Sequence, residues 1–228
     1  MEETDDLSGS ASDGYERRRV RISTQILDAA EQLLREHGDD SFTMADVART
    51  SGVSPATPFN HFEHKIGMLA ALFRRSLSVV GRMRVRDVGP DPRDRVVEGA
   101  VWSADIYARD PSLYRPLLRA LLSHPPRGVF KEATQLWVGG LEACRTAGWI
   151  DDSHNVERLA EHLETAWYGA LSLWAVGEIN RPELKRRIRE TTALILSLIH
   201  ISAPTRRYAI SYAVFCVKKK GGGGGGGG

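Results

Sequence analysis

Residues 43–62 read TMADVARTSGVSPATPFNHF, and local signals in this stretch predict two short helices joined by a tight turn. Thr43 is placed as an N-cap, and Asp46 follows three residues later, at the spacing of a capping box. Gly52 is expected to end the first helix. Ser54 and Pro55 then offer an N-cap followed by proline at the first helical position. Two short helices around a glycine-containing turn form a helix-turn-helix.

Apolar residues recur at helical spacing on both sides of this motif. The face before it consists of Ile22, Ile26, Ala29, Ala30, Leu33 and Leu34. After it, Lys65 opens a longer helical pattern that ends before the breaker Gly-Pro-Asp-Pro at residues 89–92. Every later segment up to Ile195 is helical in period, and the sequence has no strand pattern. We therefore expect an all-α protein of about nine helices, with one domain at residues 15–80 and another at residues 92–195.

The two ends of the chain differ in composition from these domains. Residues 1–14 carry five acidic side chains and one large apolar residue, Leu7, which predicts a disordered acidic leader. Residues 196–228 follow no helix or strand pattern. Their reverse translation resembles a sequencing adapter followed by an index and homopolymer runs, so we interpret this tail as read-through. The alternative is an engineered basic tag with a glycine linker.

Charge and cysteine content narrow the class of protein. The 228 residues have a net charge of +2, which becomes −3 without residues 196–228. The positive charge is local, because residues 15–90 hold twelve basic and nine acidic side chains. Two cysteines, an acidic start and no apolar run of membrane-spanning length predict a cytoplasmic protein. The sequence contains no nucleophile elbow, phosphate-cradling glycine loop or cysteine pair, so we expect no enzymatic activity.

The motif at residues 43–62, together with ILDAA at residues 26–30 and KIGML at residues 65–69, resembles the DNA-binding domain of the tetracycline-repressor (TetR) family. The resemblance covers residues 20–80. It implies a three-helix DNA-binding head followed by a helical domain for ligand binding and dimerisation. Because one short recognition helix reads too few bases, a homodimer on a pseudo-palindromic operator is expected.

The resemblance also assigns contacts with double-stranded DNA. The expected phosphate contacts are Thr43, Ser54, Thr57, Phe59, His61 and Lys65. The expected major-groove contacts are Pro55, Ala56 and Asn60, of which Asn60 is suited to adenine. Arg19 and Arg21 belong to a basic run expected to form an arm toward the minor groove or the phosphates. Two residues depart from the family pattern: Phe59 lacks the hydroxyl of the usual tyrosine, and Pro58 replaces a large apolar residue.

A small-molecule site is expected among helices five to eight. Its residues would be Trp102, Asp105, Tyr107, Trp137, Glu164, Trp167 and Tyr168. For each aromatic residue, core packing is the alternative explanation. The acidic pair Asp105 and Glu164 would favour a cationic or hydroxylated ligand.

The expected function is transcriptional repression, with a small molecule releasing the protein from its operator and a homodimer formed through helices eight and nine. In one alternative, a partner protein binds the same dimer or aromatic surface and no small molecule acts. In another, the chain is an enzyme with a vestigial DNA-binding domain. Neither a metal site nor a cofactor is expected. His61, Glu63 and His64 lack a fourth ligand, and the acidic and histidine residues near the start of helix eight are better explained as a solvated face.

Overall fold

The computed structural model of the protein describes residues 6–82 and 89–201. These residues form nine α-helices and no strand, which confirms the all-α prediction. In chain order the helices are α1 (Asp6–His37), α2 (Met44–Ser51), α3 (Thr57–Phe62), α4 (Lys65–Arg82), α5 (Pro92–Arg109), α6 (Pro111–Ser123), α7 (Val129–Thr146), α8 (Val156–Val176) and α9 (Arg181–Ile201). Within the described ranges, none of them is long and apolar enough to cross a membrane.

Helix α1 is longer at its N-terminus than the sequence predicts. It begins at Asp6, so residues 6–14 of the expected acidic leader lie in this helix. Residues 13–21 are exposed, and Asp13 pairs with Arg17 at 2.6 Å, one helical turn apart. Once the buried face beyond residue 22 has nucleated the helix, each added residue gains a hydrogen bond without a new nucleus. A segment with little apolar surface can therefore continue the helix.

Helix α9 extends past Ile195 to Ile201, and Leu196 is buried. The helix therefore continues into the first residues of the segment that the sequence analysis interprets as read-through. The rest of that segment, residues 202–228, lies outside the described residues, as do residues 1–5 of the expected leader.

Helix α4 connects the N-terminal helices to the C-terminal bundle. It packs against α1 and α3 and also against α6 and α7. Leu69, Phe73 and Leu77 of α4 belong to the same hydrophobic core as the residues of α5 to α9. The rings of Phe73 and Tyr107 stack with their centroids 5.7 Å apart. A displacement of α4 would therefore change side-chain packing both among the N-terminal helices and in the C-terminal bundle.

The C-terminal bundle is closely packed around α5 and α8. Helix α5 lies against α6, α7 and α9, and α8 lies against the same three helices. Gly140 allows α7 to approach α5, because a Cβ atom there would lie 2.9 Å from Cγ2 of Val96. Cys144 is fully buried in this core, and burial raises the pKa of its thiol to about 11.

Candidate nucleic-acid interface and ligand cavity

The orientation of α2 is fixed by its own caps. Thr43 Oγ1 accepts a hydrogen bond from the Asp46 N–H at 3.2 Å, and the Asp46 carboxylate accepts one from the Thr43 N–H at 2.8 Å. The hydroxyl and backbone N–H of Thr43 lower the pKa of Asp46 to about 2. Gly52 closes the helix with φ 68° and ψ 25°, a conformation that glycine adopts without strain. The predicted capping box and turn are thus both present.

Helix α3 begins later than the sequence predicts. The predicted start is at Ser54 and Pro55, whereas the helix spans Thr57–Phe62. Pro58 is the reason, because it has no N–H to donate to the Ser54 carbonyl. The Thr57 N–H donates to that carbonyl instead, at 2.9 Å. Residues 54–57 therefore form a tight turn, in which the hydroxyl oxygens of Ser54 and Thr57 lie 2.7 Å apart.

Exposed residues lie on both sides of the start of α3 and form one surface. It consists of Pro55, Ala56, Phe59 and Asn60, with Ser54 exposed at its edge. Ala56 lies one helical turn before Asn60, whose N–H donates to the Ala56 carbonyl at 3.0 Å. Phe59 is a large apolar side chain with 49 % of its surface exposed. The structure thus brings the three predicted groove residues to one surface and places an unpaired aromatic ring beside them.

His61 faces α1 rather than open solvent. Its Nδ1 lies 2.8 Å from Oγ of Ser23. Partial burial, and then the charge of Arg19, lower the pKa of the imidazole. The neutral ring therefore prevails at neutral pH and holds α3 against α1 through the Ser23 hydroxyl.

Lys65 is bound by the loop that precedes α2. Its Nζ donates to the carbonyl of Asp40 and, at 3.1 Å, to the carbonyl of Phe42. It also lies 3.0 Å from the Asp40 carboxylate and 5.1 Å from the centroid of the Phe42 ring. The ammonium group has three hydrogens to donate, and these oxygens can use all of them. Lys65 thus joins the start of α4 to the helix-turn-helix.

The arginines near the N-terminus lie on α1 and do not form an extended arm. Arg19 and Arg21 are exposed on this helix, and Arg19 is close enough to His61 to influence its pKa. The expected arm geometry is therefore wrong, because α1 continues through this basic run to Asp6. Both side chains nevertheless lie on the α1 surface near the end of α3.

A cavity of about 420 Å³ lies among α5, α7, α8 and the C-terminal end of α4. Pockets for drug-sized molecules have volumes of this order. Five of the seven predicted ligand residues line it: Trp102, Tyr107, Trp137, Glu164 and Trp167. The structure thus brings together residues that are up to 65 positions apart in the sequence.

Glu164 places a carboxylate in the wall of this cavity. Its side chain is 4 % exposed, and Oε2 accepts a hydrogen bond from Nε1 of Trp137 at 2.8 Å. Burial raises the pKa of Glu164 to about 7, and the Trp137 bond only partly offsets this increase. Among the described residues, no cationic side chain forms an ion pair with it.

Three other polar side chains of the cavity wall have hydrogen-bond partners. The indole N–H of Trp167 donates to the carbonyl of Ala100 at 3.0 Å, and the hydroxyl of Ser103 donates to the same carbonyl at 2.8 Å. The Tyr107 hydroxyl lies 3.3 Å from the hydroxyl of Ser76. Burial raises the pKa of Tyr107 well above its usual range, so this phenol stays neutral. Glu164 is the acidic residue among those that line the cavity, and one of its carboxylate oxygens accepts the Trp137 hydrogen bond.

Comparison with known proteins identifies the family. Residues 26–72 match the model of the bacterial regulatory proteins of the tetR family. The HTH-type transcriptional regulator BetI of Rhizobium meliloti (strain 1021) is 34 % identical over 76 residues, which are 31 % of this chain and 36 % of BetI. The HTH-type transcriptional repressor KstR2 of Rhodococcus jostii (strain RHA1) is 26 % identical over 154 residues, 63 % of this chain and 76 % of KstR2. Residues 26–72 belong to the tetR family. The chain thus carries the DNA-binding domain of this family of transcriptional regulators, and the predicted resemblance is confirmed.

Solved TetR-family structures share the fold. The transcriptional repressor FadR of Thermus thermophilus, in complex with lauroyl-CoA, is 23 % identical, with a TM-score of 0.61 over 76 % of this chain and 93 % of that chain. SmeT, the repressor of a multidrug efflux pump of Stenotrophomonas maltophilia, is 23 % identical, with a TM-score of 0.59 over 77 % and 89 % of the two chains. At these identities the likeness concerns the arrangement of the helices.

Asp105 does not belong to the cavity, contrary to the prediction. Its buried carboxylate lies between α5 and α9, where Arg181 approaches Oδ1 at 2.8 Å and Arg109 approaches Oδ2 at 2.9 Å. Lys185 lies 3.6 Å away. The hydrogen bond from Arg181 is the main cause of the lowered pKa of Asp105. On α5, Asp105 is two residues from Ser103, which lines the cavity, and so lies on the opposite side of the helix.

Tyr168 does not line the cavity either. It is half-buried and packs against the core next to Trp167. In contrast, sequence reasoning missed the contribution of α4, whose residues Leu77, Val80 and Gly81 complete the wall. Their helical spacing predicts a buried face, but no pattern along α4 shows that this face reaches the bundle.

Proposed function

We propose that this protein is a homodimeric repressor of the TetR family that binds a pseudo-palindromic operator and leaves it when a small molecule enters the cavity. The observation that carries the proposal is the position of α4. Its C-terminal end forms part of the cavity wall, and its first residue, Lys65, holds the helix-turn-helix. One rigid element therefore touches both sites, and a ligand with different affinities for two positions of α4 would change the affinity for DNA.

The proposed DNA contacts follow the exposed face of α3. Pro55, Ala56 and Asn60 would enter the major groove, where Asn60 could pair with adenine and the two small residues could contact thymine methyl groups. Phe59 adds an exposed apolar ring at this surface. The proposed phosphate contacts are Thr43, Ser54, Thr57, Phe59, His61 and Lys65, with Arg19 and Arg21 on the flanking α1 surface.

Two of these phosphate contacts require a change of partner. Lys65 would exchange the Asp40 carboxylate for a phosphate, and His61 would exchange the Ser23 hydroxyl. Both exchanges loosen the attachment of one helix to its neighbour. DNA binding and the position of α4 are therefore coupled in the proposal, because Lys65 takes part in both.

The proposed dimer uses α8 and α9. On α8, Gly169, Leu173 and Val176 are exposed at helical spacing, and on α9 Leu194 and Leu198 are exposed one turn apart. A Cβ atom at Gly169 would meet nothing within 4 Å. An apolar stripe with a small residue at its start is typical of helix pairs that pack closely across a two-fold axis.

Retardation of DNA by the purified full chain tests the proposal. The probes are its own upstream intergenic DNA and a scrambled duplex of equal length, with and without candidate ligands. We expect specific retardation at low salt and release by a ligand. Without specific retardation the repressor proposal fails. Retardation that no ligand relieves would favour control by a partner protein, which the exposed stripe of α8 and α9 could bind.

A further inference from the structure

We propose, building on the ligand-released repressor described above, that the cavity takes an organic cation with an apolar body and that Glu164 pairs with its ammonium group. The contrast with Asp105 supports this assignment. Both residues are 4 % exposed, yet the carboxylate of Asp105 is surrounded by Arg181, Arg109 and Lys185. Glu164 has the indole of Trp137 as its partner among the described residues. Burying a charge without a counter-charge is unfavourable, so the Glu164 site lacks a cation that the protein supplies to Asp105.

The walls around Glu164 suit a cation with an apolar body. Trp102, Tyr107, Trp137 and Trp167 all line the cavity. The faces of aromatic rings carry partial negative charge, and they attract ammonium groups most strongly when water is excluded. The remaining lining is mostly aliphatic side chains and glycines, including Leu77, Val96 and Gly139. The wall thus offers a negative end and a large apolar surface.

An anionic ligand would be repelled by Glu164, and the cation of the wall is bound to backbone carbonyls. Arg95 is the cationic residue among those that line the cavity, and its Nη1 donates to the carbonyls of Pro90 at 2.7 Å and Gly89 at 3.2 Å. A carboxylate near Glu164 would face a like charge in a poorly solvated site. A neutral alcohol could donate one hydrogen bond to Glu164 and would leave the charge without a counter-ion.

Titration calorimetry with the full chain tests the assignment through three probes of equal chain length: decyltrimethylammonium, 1-decanol and decanoate. At about pH 8, where Glu164 is ionised, the cation should bind about tenfold or more tightly than the alcohol, and decanoate should bind most weakly. Glu164→Gln should remove this preference. The matched control is Glu161→Gln on the same helix, because Glu161 is exposed and does not line the cavity.

A second measurement at about pH 5.5 uses the wild type alone. Protonation of Glu164 should then abolish the preference for the cation, as the glutamine does. The other titratable groups on which the charge of Glu164 acts are Tyr107 of α5 and Tyr168 of α8, and Arg95 of α5 is the charged side chain that lines the same cavity. Burial raises the pKa of both phenols, so neither changes charge between the two pH values. Helix α7 contributes Trp137, which does not titrate.

The outcomes separate this inference from the proposed function. Equal or tighter binding of 1-decanol or decanoate, or a cation preference that survives Glu164→Gln, overturns the cation assignment. If decanoate then releases operator DNA, the ligand-released repressor still stands. Conversely, Glu164-dependent binding of the cation by a protein that retards no operator supports the assignment and defeats the repressor proposal.

Discussion

Replacing Glu164 by glutamine should stabilise the protein at high pH and leave its stability nearly unchanged at low pH. The pKa of this carboxyl group is about 7 in the folded protein, against 4.5 for the solvated group. Because the folded value is the higher one, ionisation opposes folding. Stability is greatest where both states are protonated, falls as the pH rises from 4.5 to about 7, and is then constant. The stability lost over this pH interval is about 3 kcal/mol, since a shift of one pKa unit corresponds to about 1.4 kcal/mol.

Glutamine removes this penalty with little other change. It has the size of glutamate, and its amide oxygen can accept the Trp137 hydrogen bond that Oε2 accepts at 2.8 Å. We therefore expect Glu164→Gln to raise the free energy of unfolding by about 3 kcal/mol at pH 8 and by less than about 0.5 kcal/mol near pH 4.5.

Urea unfolding followed by far-ultraviolet circular dichroism measures both values. The protein concentration is held constant, because dissociation of a dimer would contribute to the free energy. Glu161→Gln serves as the control, since this side chain is exposed on the same helix and its substitution removes the same charge. The reasoning is refuted if Glu164→Gln changes stability equally at the two pH values, or if it destabilises the protein at pH 8.

Three further changes test other parts of the structure. Gly169→Gln should weaken the dimer by about tenfold or more in analytical ultracentrifugation. Gly139→Gln is the control, because a Cβ atom meets nothing within 4 Å at either site, and it should leave the dimer unchanged. Equal effects would count against the α8–α9 interface. Asp105→Asn should lower the free energy of unfolding by about 1–3 kcal/mol near neutral pH. This range already allows for solvent screening of the paired arginines, which are partly exposed. Because the folded pKa of Asp105 is below 3.8, its stabilising contribution is present above that pH and is lost as the pH falls through the folded value, so mutant and wild type should converge in acid urea titrations; a constant gap would contradict the ion-pair explanation. Lys65→Ala should weaken binding to all DNA sequences alike and reduce the slope of log K against log salt by about one; an unchanged slope would limit Lys65 to holding the loop before α2.

The sequence predicts the helix-turn-helix well because the signals there are local. The capping box of Thr43 and Asp46 and the left-handed Gly52 act within a few residues, so each can be recognised without knowing the fold. The start of α3 is missed for a reason that is also local. The Ser54 cap signal and the missing N–H of Pro58 compete, and the proline prevails because it removes the bond that would have closed the first turn.

The cavity is only partly predictable, because its walls come from four helices. Periodicity along α5 shows which residues are buried but not which neighbour they face, since α5 is surrounded by α6, α7 and α9. This is why Trp102 and Tyr107 line the cavity whereas Asp105, expected with them, does not. The contribution of Leu77 and Val80 depends on where the end of α4 meets the bundle, a tertiary fact that no window of α4 encodes.

The buried charge of Glu164 lowers the stability of the folded protein, and the same charge favours the recognition of a cation. An ionised carboxylate in an apolar wall lowers stability until a cation arrives, so a cationic ligand gains from relieving that penalty as well as from its own contacts. Apolar residues of similar size would give a more stable protein with no reason to prefer a charged ligand. Asp105 shows that the same bundle can neutralise a buried carboxylate with its own arginines where that carboxylate joins two helices. The neutral partner of Glu164 therefore lowers the stability of the free protein but leaves a site whose occupancy can shift α4. We expect the Glu164→Gln protein to be more stable than the wild type and to respond less to a cationic ligand.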